Sequence, residues 1–141
     1  MKINTRGGTM TKTKKTPEID HAKRNALGWL ESIEEMGGRL GSDDEKISEA
    51  AREEIQESAL EVSVRSGWHS PGGNAKPDEY LVLLSTGGPA CRITGYLDQY
   101  GQPTSVSLQY QDWGTPWTDL DAGNEHDDAM LQFVGCFYFG E

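Results

Sequence analysis

Residues 55–66, IQESALEVSVRS, contain the point at which the hydrophobic period of the chain changes. Upstream of this point apolar residues recur at helical spacing, whereas from Leu60 onward they alternate with polar residues, which is typical of a half-buried strand. The alternating apolar residues are Leu60, Val62 and Val64. This change predicts a single α+β domain over residues 16–141, with a helical hairpin over 16–58 and a sheet-containing part over 60–141.

Two helices are predicted upstream of the change. Thr16-Pro17-Glu18 combines a hydroxyl N-cap, a proline at the first helical position and an acid in the first turn, and Gly37-Gly38 is expected to end that helix. Ser42-Asp43-Asp44-Glu45 is a capping box for a second helix, whose thin apolar stripe is Ile47, Ala51 and Ile55. Residues 1–15 have no apolar periodicity and are expected to form a disordered basic tail.

Downstream, four strands are predicted to form an antiparallel β-meander. They begin near Leu60, Tyr80, Ala90 and Thr104, and the stretches between them are rich in glycine and proline. The DWGTPW segment, residues 112–117, is expected to leave the sheet. Asn124 is expected to cap a helix beginning at Glu125, and residues 129–139 either continue that helix or form a further strand.

The net charge of −10 is distributed unevenly along the chain. Residues 1–24 sum to +5, residues 25–64 to −8, residues 65–92 to +1 and residues 93–141 to −8, because no Lys or Arg follows Arg92. Such a body would repel phosphates, so direct nucleic-acid binding is not expected, whereas a basic partner protein would be attracted. The plain alternative is that negative charge keeps the protein soluble.

Apolar runs and cysteine content indicate the compartment. The longest apolar run, Leu81–Leu84, is far shorter than a membrane span, so no membrane association is expected. The two cysteines, Cys91 and Cys136, are too few for a disulfide scaffold. A reduced, cytoplasmic setting is therefore expected.

No motif in the chain predicts a cofactor, a metal site or a catalytic centre. His21, His69 and His126 have no partners at ligand spacing. A nucleophilic pair of His69 with either cysteine is conceivable, but packing cysteines are favoured because burial blunts thiol reactivity. The stretches GWHSPGG and STGGPA lack phosphate-loop patterns, and the second is typical of a turn. A non-enzymatic protein is therefore expected.

The most informative feature is QYQDWGTPWTDLDAGNEHDDAM, residues 109–130, which places two tryptophans among six acids. In one interpretation the tryptophans cover the sheet core and the acids simply face water. In the other the segment is a partner-binding surface, in which tryptophan supplies burial and the acids supply orientation toward a basic protein. The predicted partner-binding residues are Asp112, Trp113, Trp117, Asp119, Asp121, Glu125, Asp127 and Asp128.

The two tryptophans of this segment are expected to have different environments. Trp113 directly follows a predicted strand, so it is expected to pack against the sheet. Trp117 follows the turn at Thr115-Pro116, so it is expected to be at least partly exposed.

Two further hypotheses remain open. The 67–78 loop is longer than a turn requires, and a small enzyme or anion-binding protein would use His69 as acid or base with Arg65 and Arg92 holding an anion. Alternatively, a homodimer would bury the apolar stripe of the second helix.

Four stretches resemble small proteins encoded by bacterial prophages and other mobile elements. They are EVSVRSGW (61–68), LLSTGGPACRITGYLDQYGQP (83–103), LQYQDWGTPWT (108–118) and CFYFGE (136–141). The resemblance covers about residues 58–141 and implies a phage-encoded accessory protein in the cytoplasm of a bacterial host. Small acidic phage proteins often inhibit host defence, including CRISPR effectors and restriction enzymes. The resemblance therefore implies an anti-CRISPR or anti-restriction inhibitor that binds a basic, nucleic-acid-binding defence effector.

Overall fold

A computed structural model describes residues 5–73, 75–87, 89–121 and 123–140, with side chains from residue 21 onward. The helices are α1 (Thr5–Leu40), α2 (Glu45–Ser58) and α3 (Asp127–Val134), and a short 3-10 turn, Asn124–His126, precedes α3. The strands are β1 (Glu61–Ser66), β2 (Pro77–Ser85), β3 (Ala90–Tyr96), β4 (Ser107–Gln111) and β5 (Thr118–Asp119). The predicted α+β class is confirmed. In the described ranges, none of the helices has the length and apolarity needed to cross a bilayer.

The strands form one antiparallel sheet in the order β1-β2-β3-β4-β5. The predicted meander is therefore present, but it has a fifth, two-residue strand, in which Asp119 pairs with Gln109 and Thr118 pairs with Tyr110. The expectation that DWGTPW leaves the sheet is confirmed, since residues 112–117 lie outside the strands and form the turn that joins β4 to β5. Its closure depends on Thr115, whose amide and hydroxyl both donate to the Asp112 carbonyl, at 3.2 and 3.0 Å.

The helices pack on one face of this sheet, which we call the inner face. Apolar side chains of β2, β3 and β4 meet those of α1 and α3 there, and Ile33, Ile93 and Phe133 are fully buried. The opposite, outer face is formed by the alternate residues of the same strands. All of its residues are at least partly exposed, among them Ser63, Arg65, Glu79, Leu81, Arg92, Thr94 and Gln109. The sheet is therefore covered on one side only by the described helices.

Strand β1 departs from the prediction of a half-buried strand. Val62 and Val64 pair with Val82 and Tyr80 of β2 and so lie on the inner face. They are nevertheless 37% and 41% exposed, and Leu60 before them is 61% exposed. The period-two alternation located the strand correctly, but β1 lies at the edge of the sheet, where the core formed by α1 and α3 does not cover it.

The first helix differs from its predicted bounds at both ends. Helix α1 already includes residues 5–15 of the predicted disordered tail, and Thr16-Pro17 lies inside it; residues 1–4 lie outside the described part of the chain. Each residue added to an existing helix gains one backbone hydrogen bond, so a polar segment can extend it. The helix also continues past Gly37-Gly38 and ends at Leu40, where the Gly41 amide donates to the Gly37 carbonyl.

Helix α2 starts close to the predicted position but with a different cap. Asp44 is the N-cap, and its side chain accepts a 3.0 Å hydrogen bond from the Lys46 amide. Ala51 and Ile55 are fully buried, whereas Ile47 is 43% exposed. Since the helix packs against α1, most of its thin apolar stripe is already covered within one chain. Little apolar surface of α2 therefore remains for the predicted homodimer to bury.

The C-terminal part is helical only as far as Val134. Asn124 begins a 3-10 turn and its side chain caps nothing, because Gly123 occupies the N-cap position of that turn. After α3 the chain continues without a strand through its last described residue, Gly140. Phe139 returns to the core, where its ring centroid lies 5.0 Å from that of Tyr80.

Candidate partner-binding surface

The β4–β5 turn displays Trp113, whose side chain is 77% exposed. The Trp113 amide donates to Asp112 Oδ1 at 2.8 Å, and Gly114 follows with a φ of +75°, a conformation that favours glycine. The Asp112 amide also donates to Thr115 Oγ1 at 3.0 Å. These bonds close the turn on both sides of Trp113, so the exposed indole is held on an ordered turn.

Trp117 lies in the opposite environment, because the pairing of β5 brings it back over the sheet. Its ring is half-buried and stacks on the Arg92 guanidinium, whose central carbon lies 4.1 Å from the ring centroid. A cation over an aromatic face contributes about 0.5–2 kcal/mol, depending on solvation. The expectation that Trp113 packs against the sheet is therefore wrong, because it is the exposed ring. The expectation that Trp117 is at least partly exposed is confirmed, although its ring also packs on Arg92.

A hydrogen-bonded layer continues from Arg92 across the outer face. Arg92 Nε donates to Gln109 Oε1 at 2.7 Å, and Gln109 Nε2 donates to Asp119 Oδ1 at 2.8 Å. The layer connects β3, β4 and β5 and fixes Asp119. Sequence reasoning missed Gln109, since strand alternation places it on the polar face but only the register selects its partners.

Three of the predicted acids surround a second feature, an open cavity of about 350 Å³. Its lining includes Asp119, Asp121 and Asp127 together with the apolar residues Leu30 and Met130. Glu125 and Asp128 are exposed on the following 3-10 turn and helix. The eight predicted residues therefore form no single cluster: Asp112 and Trp113 lie on the turn, Trp117 in the outer-face layer, and most of the acids near α3. Asp119 belongs both to the layer and to the cavity.

His126 connects this region to the first helix. Its Nδ1 contacts the Glu34 carboxylate of α1, and its Nε2 lies 3.4 Å from Glu125 Oε2. Glu34 and His126 are 92 positions apart, so no local pattern could have indicated the pair. The side chain of His126 is thus engaged in holding the 3-10 turn against α1.

The alternative anion-binding site, predicted to consist of Arg65, His69 and Arg92, is only partly assembled. Arg65 and Arg92 line one open cavity of about 360 Å³ on the outer face, together with Leu81 and Thr94. Arg65 pairs with Glu79 at 2.7 Å, and this hydrogen bond raises the pKa of the guanidinium. Burial lowers the pKa of Arg92, which forms no salt bridge within the described residues. His69 is exposed, lies 3.0 Å from the Ser70 carbonyl through Nδ1, and does not line this cavity.

Both cysteines are free and buried. Burial raises the pKa of Cys91 to about 12 and also raises that of Cys136, so both thiols stay protonated near neutral pH. Because Cys91 lies in the core and His69 is exposed, a Cys91–His69 pair does not form. In the described part of the chain, no group of three or more His, Cys, Asp or Glu side chains is arranged to hold a metal ion.

The fold and the site define a small α+β protein with a sheet covered on one face, an exposed tryptophan on the turn near one edge, and acidic residues in the segment that follows. No protein-family model matches the chain, and comparisons with curated proteins and with solved structures also gave no match.

Proposed function

We propose that this protein acts by binding, without catalysis, and that it docks onto a basic partner protein through an acidic surface. We define the acidic surface as the predicted set Asp112, Trp113, Trp117, Asp119, Asp121, Glu125, Asp127 and Asp128. The observation that carries the proposal is the 77% exposure of Trp113 on a hydrogen-bonded turn. Tryptophan is among the residues most enriched at binding hot spots, and an ordered ring loses little freedom on binding.

Electrostatics supports a basic partner. Residues 93–141 contain eight acids and no Lys or Arg, and the nearest preceding cation, Arg92, is stacked on Trp117. A surface that carries these carboxylates is repelled by other copies of itself and attracted by a positive surface. Nucleic acid would be repelled for the same reason, so the proposed partner is a protein.

The biological setting that we propose rests on the resemblance to proteins of prophages and mobile elements. In this setting the chain is a phage-encoded inhibitor in the cytoplasm of a bacterial host. Its target is a defence protein of the CRISPR or restriction type, whose basic nucleic-acid groove would accept carboxylates in place of phosphates. The ordered turn would insert Trp113 into a pocket of that target, and the carboxylates of the acidic surface would set the orientation.

The test is a capture experiment with matched tryptophan variants. Tagged wild type, Trp113→Ala and Trp68→Ala are used to capture proteins from lysates of bacteria with active defence systems, followed by mass spectrometry and binding with the purified partner. Trp68 is the control because it is equally large and 105% exposed, but lies in the loop after β1. We expect Trp113→Ala to weaken binding by about 2 kcal/mol or more and Trp68→Ala to leave it unchanged. Equal binding by all three proteins, or a partner without a basic surface, would contradict the proposal.

A second candidate function is anion binding in the outer-face cavity, and Arg92 is the observation that favours it. Its Nε donates a 2.7 Å hydrogen bond to Gln109 Oε1, and its terminal nitrogens form no salt bridge in the described residues. A bidentate carboxylate or phosphate fits such a fork. Calorimetric titration with inorganic phosphate and with succinate, repeated on Arg92→Gln, tests this candidate. No binding by the wild type would exclude it for these anions.

A further inference from the structure

Strand β1 forms an uncovered edge of the sheet. It pairs with β2 on one side only, and every residue from Glu61 to Ser66 is exposed or half-buried. Val62 and Val64 leave 37% and 41% of their surfaces in water on the inner face. An edge strand presents unpaired backbone N–H and C=O groups, and proteins usually protect such edges with proline, a bulge, an inward-pointing charge or a covering element. Strand β1 has a register shift only at its last residue pair, between Arg65 and Ser66.

The sequence of this strand is complementary to itself. Around Ser63 it reads Glu61-Val62-Ser63-Val64-Arg65. If two copies pair antiparallel about a twofold axis at Ser63, Glu61 lies opposite the partner's Arg65, and Val62 lies opposite the partner's Val64. Directly opposite residues point to the same face of a sheet, so the charges meet on the outer face and the valines meet on the inner face.

From this complementarity we infer that a second copy of the chain pairs along β1, making one continuous antiparallel sheet across a homodimer. Such an interface is isologous, so each charged pair and each valine pair occurs twice and the assembly closes at two copies. The proposal goes beyond the binding function above and does not depend on it, because the surface and the occupant are both different.

Glu61 and Arg65 are still able to form the ion pair across the proposed interface, given the contacts that each makes within its own chain. Arg65 bonds Glu79 of its own chain at 2.7 Å, but 76% of its side chain is exposed. Glu61 accepts only a 2.9 Å hydrogen bond from the neighbouring Ser63 hydroxyl among its described contacts. In the dimer each Arg65 would lie between its own Glu79 and the partner's Glu61. A small network of this kind is stabilised more than an isolated exposed pair.

The negative charge of the acidic surface does not prevent this pairing. Glu61 and Arg65 cancel, so the strand itself is neutral. The acidic surface lies beyond the opposite edge, because β5 is four strand spacings from β1, which is about 19 Å. Charges that far apart are largely screened, since the Debye length at physiological ionic strength is about 8 Å. The β5 edge is unsuitable for pairing because it has two residues, one of them Asp119.

The test is a charge-swap series in the full chain, analysed by sedimentation velocity over a wide concentration range. Wild type should shift from monomer to dimer as concentration rises. Glu61→Arg and Arg65→Glu should each remain monomeric, because like charges then face each other. The double variant, Glu61→Arg with Arg65→Glu, should regain dimerisation, and an equimolar mixture of the two single variants should form a heterodimer.

Two controls separate this outcome from misfolding. Glu49→Arg changes the same charge at an exposed position of α2 and should dimerise like the wild type. Thermal melting of every variant checks that it is folded; if either charge variant is not, Val64→Lys takes its place, since a lysine is tolerated at a 41% exposed position but not inside the interface. A wild type that stays monomeric at the highest concentration would overturn the inference. So would single charge variants that dimerise as well as the wild type.

Discussion

Replacing Gly95 with alanine tests the packing that holds β3 against the segment before β4. Gly95 pairs with Tyr80 of β2. A Cβ built at Gly95 would lie 2.0 Å from the Ser105 carbonyl oxygen and 2.7 Å from Tyr80 Oη. The same two atoms form a 2.6 Å hydrogen bond, in which the Tyr80 hydroxyl donates to the carbonyl. The methyl group would therefore displace the Ser105 carbonyl oxygen and at the same time break its hydrogen bond with the Tyr80 hydroxyl.

The surrounding backbone cannot move away cheaply. The Tyr96 amide donates to Ser105 Oγ at 2.9 Å, and the Thr104 amide donates to the Tyr96 carbonyl at 2.9 Å. Forcing a methyl group into a filled site costs about 1–3 kcal/mol. Leaving a buried hydroxyl unpaired costs about another 1–3 kcal/mol, and Tyr80 is only 2% exposed. We therefore expect Gly95→Ala to lower the free energy of unfolding by about 3–5 kcal/mol.

Urea unfolding followed by circular dichroism measures this change. Tyr80→Phe is the matched control, because it removes the hydroxyl without adding a methyl group, and it should cost about 1–2 kcal/mol. A Gly95→Ala protein within about 1 kcal/mol of the wild type would show that the Ser105 segment moves freely, and the reasoning would be refuted.

The remaining predictions concern the tryptophans, one helix glycine and alkaline pH. Trp117→Ala should lower the free energy of unfolding in urea by about 1–3 kcal/mol, because a half-buried ring and its cation–π contact are lost. Trp113→Ala should change it by less than about 0.5 kcal/mol, because that ring is exposed. Equal losses for the two variants would contradict the assigned environments. Gly38→Ala should raise the unfolding free energy by about 0.5–1 kcal/mol, because a Cβ there meets nothing within 4 Å and alanine favours a helix; a loss of stability would mean that this turn of α1 is not helical. Burial raises the pKa of Cys91 from 9.0 to about 12, so between these pH values the unfolded chain binds fewer protons than the folded one. Stability should therefore fall with rising pH by on the order of 1 kcal/mol per unit, with the buried Tyr80 adding to the fall, and Cys91→Ala should flatten this pH dependence.

The parts of the fold that followed from the sequence are those set by local patterns. The change of period at Leu60 located the end of the helical hairpin and the start of the sheet, and glycine and proline marked the turns of the meander. These signals are local because side-chain direction repeats every two residues in a strand and every 3.6 residues in a helix.

The parts that did not follow depend on pairings between distant residues. Strand β5 has two residues, and only its register with Gln109 and Tyr110 makes it a strand. That same pairing carries Trp117 back over Arg92 and leaves Trp113 at the turn, which is why Trp113 is exposed rather than packed against the sheet. The exposure of Val62 and Val64 was missed for a similar reason, since alternation gives the face of a strand but not whether a helix covers it.

The sequence indicated which segment holds the candidate partner-binding residues, but it did not indicate which contacts those residues make. The acids and tryptophans of residues 109–130 stood out from composition alone. What the structure added is that Asp112 is used in closing the turn and Asp119 in the Gln109 layer. Asp121 and Asp128 are exposed without such hydrogen bonds among the described contacts, so they can be changed without opening the turn or the layer.

Because Asp121 and Asp128 can be changed without disturbing the turn or the layer, they allow the most direct test of the claim that the acidic surface binds a basic partner. The purified partner is titrated with wild type and with the double variant Asp121→Lys with Asp128→Lys, at low and at physiological salt. The account predicts that wild-type affinity falls as salt rises, and that the double variant binds more weakly with a flatter salt dependence, because two attractive charges have become repulsive. Equal affinity and equal salt dependence of the two proteins would contradict the proposal that the acidic surface binds the partner.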